Sequence, residues 1–178
     1  MSVMYGRGFS VSYLSPAIWL DAADSTTLYD STSGGNLVLS GGQVARWEDK
    51  SGNRRHAISS STAKPVRDVG YLNNRDGLLF TVSKTNLAIS ANNTTYSQYS
   101  IFTAFRPTSY PGESTGWNMA TIIGSGHSGS SNDYQIGIGN NSGVNQGIFY
   151  YEPGMGTIRN TTSNMGNKHS IYYVCKSI

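Results

Sequence analysis

The sequence predicts an all-β protein in which two antiparallel sheets pack face to face. Three observations carry that expectation. From Ile18 onward the apolar residues fall in runs of three to seven with turn residues between them, the spacing of a sandwich or barrel. No segment holds a 3.6-residue apolar period over a useful length, so helices are not expected. Charged residues make up only 13% of the chain, and 21 glycines together with many Ser, Thr and Asn take the positions that Lys and Glu would otherwise fill. Short strands and frequent turns follow from that composition.

At 178 residues the chain suits one domain, which at this size buries roughly 70% of the surface its unfolded form exposes. The expected division is an N-terminal arm over residues 1–15 and a sandwich domain over residues 16–178. The arm lacks a period and sets Gly6 and Gly8 beside Tyr5 and Phe9, as in a segment that orders against a neighbour or frays. The first candidate strand, residues 18–20, is an apolar run that breaks at Asp21. Residues 37–39 and 44–47 lie on either side of Gly41 and Gly42, and residues 57–59 and 65–67 follow a polar turn. Further apolar runs place strands at 78–82, 86–89, 99–105, 120–124, 134–138, 147–151 and 170–175.

Several of these runs carry more than a boundary. In 99–105, Ile101, Thr103 and Phe105 share one face and Ser100, Phe102 and Ala104 the other, so both faces are mostly apolar and the strand is expected in the middle of the sandwich. Gln135, Gly137 and Gly139 alternate with Ile136 and Ile138, giving a small outer face that admits close approach of a backbone or a flat ligand. In the pairs Tyr150, Tyr151 and Tyr172, Tyr173 one ring faces inward and one outward, and outward tyrosines suit a partner subunit. Trp19 and Trp47 are expected in the core, each with its indole N–H on a backbone carbonyl.

The segment Trp47, Glu48, Asp49, Lys50, Ser51, Gly52, Asn53, ending in His56 and Ala57, is turn chemistry between apolar β segments. Asp and Asn can bond their own backbone two residues on, and Gly52 is free to take a positive φ, so the turn needs no ligand. No cofactor is required. A calcium reading stands beside this one, because Asp21, Asp24, Asp49 and Asn53 are hard oxygen donors in loops able to converge, although calcium takes about six to eight oxygens.

Taken in order, the run from Pro16 through Trp19, Asp21 and Asp24 to Ser25, the turn from Trp47 to Ala57, and Gly77, Leu78, Leu79, Phe80 resemble the concanavalin A-like jelly-roll domains of the laminin-G-like superfamily. Such domains occur in phage structural and bacterial surface proteins. The resemblance covers residues 16–80, and residues 99–107 are similar to the central strand that follows. It implies a concanavalin A-like jelly roll serving glycan binding or adhesion. The expected role is that of a non-enzymatic virion surface protein, in a tail fibre, tail tip or capsid decoration, touching host surface glycans and other virion proteins or copies of itself. The alternatives are a purely structural virion adaptor, a carbohydrate-binding module on a bacterial cell surface, and a calcium-dependent adhesin. Similar domains continue beyond a strand like 170–175, so the chain is expected to be a fragment, to borrow strands from a neighbour, or to be a shortened variant.

The candidate glycan contacts are Tyr110, Trp117, Asn118 and Asp133. Residues 110–118 form a long polar loop with two aromatics, and sugars stack their C–H faces on such rings while amides and carboxylates bond the hydroxyls. The competing reading folds those rings back over the sandwich end. Glucanases share the sandwich and set two or three carboxylates along one strand. Here Glu48, Glu113 and Glu152 are the only glutamates and no acidic pair alternates along a strand, so hydrolysis is not expected. His56, His127 and His169 lie far apart without a nucleophile motif.

Net charge is +3, but Arg7, Arg46, Arg54, Arg55, Arg67, Arg75, Arg106 and Arg159 are scattered. A nucleic-acid reader gathers its positive charge on one face, so no nucleic-acid partner is expected. The single cysteine, Cys175, rules out an internal disulfide. No secretory leader and no bilayer-crossing run is expected, so the protein is expected to be assembled in the cytosol into a particle and exposed on the virion surface, export by another route being the alternative.

Overall fold

The computed structural model describes residues 10–59, 61–81, 86–89, 98–106, 120–125, 134–141, 145–152, 156–160 and 170–176. Among these residues the secondary structure is antiparallel β-sheet with two single-turn 3-10 helices, Val11–Leu14 and Ser25–Thr27, and no α-helix. The protein is all-β. The chain divides into two compact units, Met1–Tyr96 and Ser97–Ile178.

The first unit contains β1 (Leu28–Tyr29), β2 (Arg46–Trp47), β3 (Ala57–Ile58), β4 (Val66–Leu72), β5 (Arg75–Leu79) and β6 (Ala88–Ile89). Four of them form a sheet in the order β1-β2-β3-β6, with Leu28 opposite Trp47, Trp47 opposite Ala57 and Ala57 opposite Ile89. The strands are short because turn residues interrupt them. Asp30 closes the first reversal, its Oδ1 accepting the Asn36 N–H at 2.8 Å. Gly35 there has φ 84°, and a Cβ on it would lie 2.5 Å from that same oxygen, so the turn admits only glycine. Leu37 bridges back to Tyr29, which is all that forms of the expected strand at 37–39.

β4 and β5 make a hairpin around Asn73 and Asn74, both at positive φ (50° and 60°). That is the two-residue turn whose twist matches the flanking strands, and Asn tolerates it. A register shift between Asp68 and Leu72 accompanies Gly70 at φ 77°. Arg67 ties this hairpin to the rest of the unit. Its Nε and Nη2 donate to Asp76 Oδ2 at 3.0 and 2.7 Å, and its Nη1 donates to the Val38 carbonyl at 2.6 Å. Val44 N–H to Pro65 O at 2.8 Å and Arg67 N–H to Gly42 O at 2.9 Å run alongside.

The core of this unit is a cluster of Leu28, Val38 and Val44 with Trp47 and Leu78 packed against it. Ala45 and Ala57 are also buried. Arg46, also buried, lays its guanidinium 4.2 Å from the Tyr29 ring centre and pairs with Glu48 at 3.3 Å. The indole Nε1 of Trp47 is buried with no partner among the described residues, so the expected bond to a carbonyl is not made. Trp47 contributes packing area alone.

The second unit contains β7 (Tyr99–Phe105), β8 (Ala120–Ser125), β9 (Tyr134–Asn141), β10 (Asn145–Glu152), β11 (Gly156–Asn160) and β12 (Ser170–Lys176). β8 to β11 form a meander in which each strand pairs with the next. β7 pairs with β12, from Tyr99 opposite Lys176 to Phe105 opposite Ser170. Five of these strands fall where the sequence places them. β11 was not expected, since Ile158 stands alone among polar residues there and its pairing with β10 sets the strand.

Two further expectations differ from the structure. Residues 18–20 are not a strand, because their backbone bonds to the loop at 49–51 and not to a sheet. β7 alternates half-buried and exposed residues, and Phe102 is 65% exposed, so only one face is covered. Ser100 and Ala104, small residues beside Phe102, make that a half-solvated face.

Leu28 is wholly buried, so Leu28→Ala leaves a cavity at the centre of the cluster. It should lower stability by roughly 2–5 kcal/mol, read as a shift in the urea midpoint at unchanged slope.

Candidate functional site

The candidate site lies where the segment at 16–19 crosses the loop at 49–55, and a single carboxylate holds the crossing. Asp49 is only 8% exposed. Its Oδ1 accepts the Trp19 N–H at 2.8 Å and the Ser51 N–H at 2.9 Å; its Oδ2 accepts the Ser51 hydroxyl at 2.7 Å and the Arg55 N–H at 3.0 Å. The Asp49 N–H donates to His56 Nδ1 at 3.1 Å, which makes that nitrogen an acceptor. Burial works to raise the Asp49 carboxyl, but the bonds from Trp19, Ser51 and Arg55 outweigh it and hold the group below the usual carboxylate range.

Further bonds seat the crossing segment. Lys50 N–H donates to the Trp19 carbonyl at 2.8 Å. Asn53 Nδ2 donates to the carbonyls of Ala17 at 3.1 Å and Pro16 at 3.3 Å, and to Ser51 Oγ at 3.1 Å. Gly52, at φ 88°, supplies the left-handed residue that lets the loop reverse.

Lys50 and Trp19 form the wall. The Lys50 Nζ lies 4.7 Å from the centre of the Trp19 ring system, a cation–π arrangement. The same Nζ bonds Asp21 Oδ2 at 3.0 Å and Asp24 Oδ2 at 2.8 Å. Asp24 also caps the 3-10 helix Ser25–Thr27, accepting the Thr26 N–H at 3.2 Å and the Thr26 hydroxyl at 2.6 Å. The bonds from Lys50 and then Thr26 bring the Asp24 carboxyl down to about 2. Burial works against the Lys50 charge, but Asp24 and Asp21 outweigh it and keep the ammonium above its ordinary 10.5.

Between these groups is a cavity of about 270 Å³ lined by Ser12, Ser15, Pro16, Trp19, Lys50, Ser51 and Asn53. An indole, hydroxyls, an amide and an ammonium share one opening. Ser15, held at φ 46° just after the 3-10 helix Val11–Leu14, turns the chain into it.

The structure rearranges the expectations drawn from the sequence. Asp21, Asp24, Asp49 and Asn53 do converge in space, but not on a shared cation. Asp21 and Asp24 hold the Lys50 ammonium, the Asp49 oxygens face N–H and O–H donors, and Asn53 turns its NH2 toward carbonyls. As placed, these side chains do not turn a shared set of oxygens toward one point, whereas calcium takes about six to eight. No group of three or more His, Cys, Asp or Glu is placed to hold a metal among the described residues. Trp19 is a half-buried cavity wall and not a core strand residue. Tyr110, Trp117, Asn118 and Asp133 lie outside the described residues, as do residues 1–9 of the arm. The cavity itself was not read from the sequence, because Ser12, Ser15, Trp19 and Asn53 are neighbours only through the crossing.

Comparison with protein-family models, with curated proteins and with solved structures finds no match to this chain. The geometry therefore carries the functional argument.

Asp49→Asn replaces one accepting oxygen by a donor that faces N–H groups. Denaturant titration should show a loss of roughly 1–3 kcal/mol. Acid should act on the same loops. Asp24 and Asp49 both titrate below their ordinary value in the folded state, so the unfolded chain binds protons first as pH falls. Their stabilisation is complete above the ordinary carboxylate range and is lost as pH falls through it, for Asp24 down to about 2. Melting temperatures at pH 7, 4 and 2.5 should fall in that order, and the fall should be smaller in Asp49→Asn than in wild type.

Proposed function

We propose that this protein is a non-enzymatic virion surface protein, in a tail fibre, tail tip or capsid decoration, whose concanavalin A-like jelly roll attaches to host glycans. The cavity at the 16–19 crossing is the observation that carries this reading. Trp19 offers an aromatic surface, and Ser12, Ser15, Ser51, Asn53 and Lys50 surround it with hydrogen-bonding groups. A sugar ring needs that combination, an apolar platform with a few placed polar groups. The antiparallel all-β architecture and the sequence resemblance over residues 16–80 agree with it.

The acids beside the cavity support binding without chemistry. Asp21 and Asp24 are committed to Lys50, and Asp49 to the loop. A glycosidase needs one carboxyl group poised as acid and a second as base or nucleophile across the scissile bond. A carbohydrate-binding module on a bacterial cell surface would use the same cavity in a different setting.

A purely structural adaptor is the second reading, and exposed apolar side chains favour it. Leu39 is 78% exposed, and Phe102 stands on the open face of β7. Such positions suit packing against other virion proteins or copies of this chain.

Glycan-array binding by the purified chain separates the two. Binding to hydroxyl-rich glycans that falls at least about tenfold, some 1.4 kcal/mol, in a folded Trp19→Ala variant supports attachment through the cavity. Binding that survives the substitution moves the site elsewhere, and an array without any signal leaves the adaptor.

A further inference from the structure

We infer that the cavity selects uncharged sugars one ring at a time and turns away acidic ones, an inference that rests on the glycan reading above. Size sets the first half. At about 270 Å³ the space falls just under the roughly 300–1,000 Å³ of sites that enclose drug-sized ligands. It holds one ring, with any further residues of a glycan outside the mouth.

Charge sets the second half. Lys50 is the charged residue in the lining, and on its own it would draw a carboxylate. It is not on its own. Asp21 and Asp24 bond the ammonium at 3.0 and 2.8 Å, so one positive charge is answered by two negative ones. Asp24 stays ionised far below neutral pH. Asp49, next in sequence to Lys50, adds a third carboxylate, itself held ionised. These groups lie within a Debye length of the cavity, about 8 Å at physiological salt, so solvent ions do not erase them. Arg54 and Arg55 follow Asn53 on the departing limb of the loop; like the three carboxylates they stand outside the lining, but Asp21 and Asp24 reach it through their bonds to Lys50, and Asp49 through its bond to Ser51.

An acidic sugar entering here would meet the two carboxylates that already occupy the ammonium, and would have to displace one of them to gain an ion pair. A hydroxyl meets no such competition. Two of the three ammonium N–H groups serve Asp21 and Asp24, leaving one donor, and a neutral hydroxyl can accept it without bringing charge. The ammonium is thus a positioned donor held against the Trp19 ring, not an anion trap.

The test is calorimetric titration of the full chain with methyl glycosides of neutral hexoses, and separately with glucuronic acid and N-acetylneuraminic acid. Wild type should bind a neutral glycoside at least roughly fivefold more tightly than either acid. The double variant Asp21→Asn with Asp24→Asn leaves the ammonium unanswered, while Asn keeps the helix cap at position 24. Its preference should move toward the acids by roughly fivefold, and adding Lys50→Met should reverse that move. Circular dichroism reports whether each variant is folded, and if the double variant is not, the wild-type ratio decides. Tighter Trp19-dependent binding of an acid by wild type overturns the selectivity and leaves the glycan reading standing, as does an unchanged ratio in a folded double variant. No binding of any sugar overturns both.

Discussion

The described part of the first unit depends on one buried carboxylate. Asp49 accepts four hydrogen bonds, three from backbone N–H groups that no strand or helix satisfies and one from a hydroxyl. Two separate segments, at 16–19 and 49–55, would otherwise bring unpaired donors into a poorly solvated crossing, where each orphan is costly. An ionised acceptor makes stronger bonds than a neutral one. The side chain therefore does for an irregular loop what a neighbouring strand does for a sheet edge, and the loop keeps a fixed shape without regular secondary structure.

That fixed shape is what gives the cavity its chemistry. Lys50 and Ser51 directly follow Asp49 in sequence, so the bonds that hold the loop also aim the ammonium at Trp19 and Asp24, and the Ser51 oxygen at Asn53. The apolar cluster of Leu28, Val38 and Val44 is small, and much of the order around it comes from polar contacts, among them Arg67 with Asp76 and the Val38 carbonyl. A chain with few charges spends them on such joints. Of the charges in this unit, Lys50, Asp21, Asp24, Asp49, Arg46, Glu48, Arg67 and Asp76 all have a defined partner.

The β character was legible because apolar runs between turn residues report strands through local pattern alone. β7, β9, β10 and β12 fall at those runs, with ends differing by at most a few residues. Where the partner and not the pattern decides, the sequence was silent or misleading. β11 has one apolar residue and exists through β10. The run at Ile18, Trp19 and Leu20 has a strand's composition, yet its N–H and C=O groups at Trp19 are claimed by Asp49 and Lys50. The turn chemistry at Asp49, Ser51 and Asn53 was readable, since each bonds within two residues. Its reach of some thirty residues back to Trp19 was not, because nothing local in either segment encodes the other.

The second unit nests one kind of pairing inside another. β8 to β11 join sequence neighbours, whereas β7 and β12 bring Phe105 against Ser170 and close the whole intervening stretch. Neighbour pairing carries little loop-closure entropy, and distant pairing carries more. The meander can zip up locally as the polypeptide emerges from the ribosome, while the backbone N–H and C=O groups of β7 that pair with β12 must wait until that strand has been synthesised.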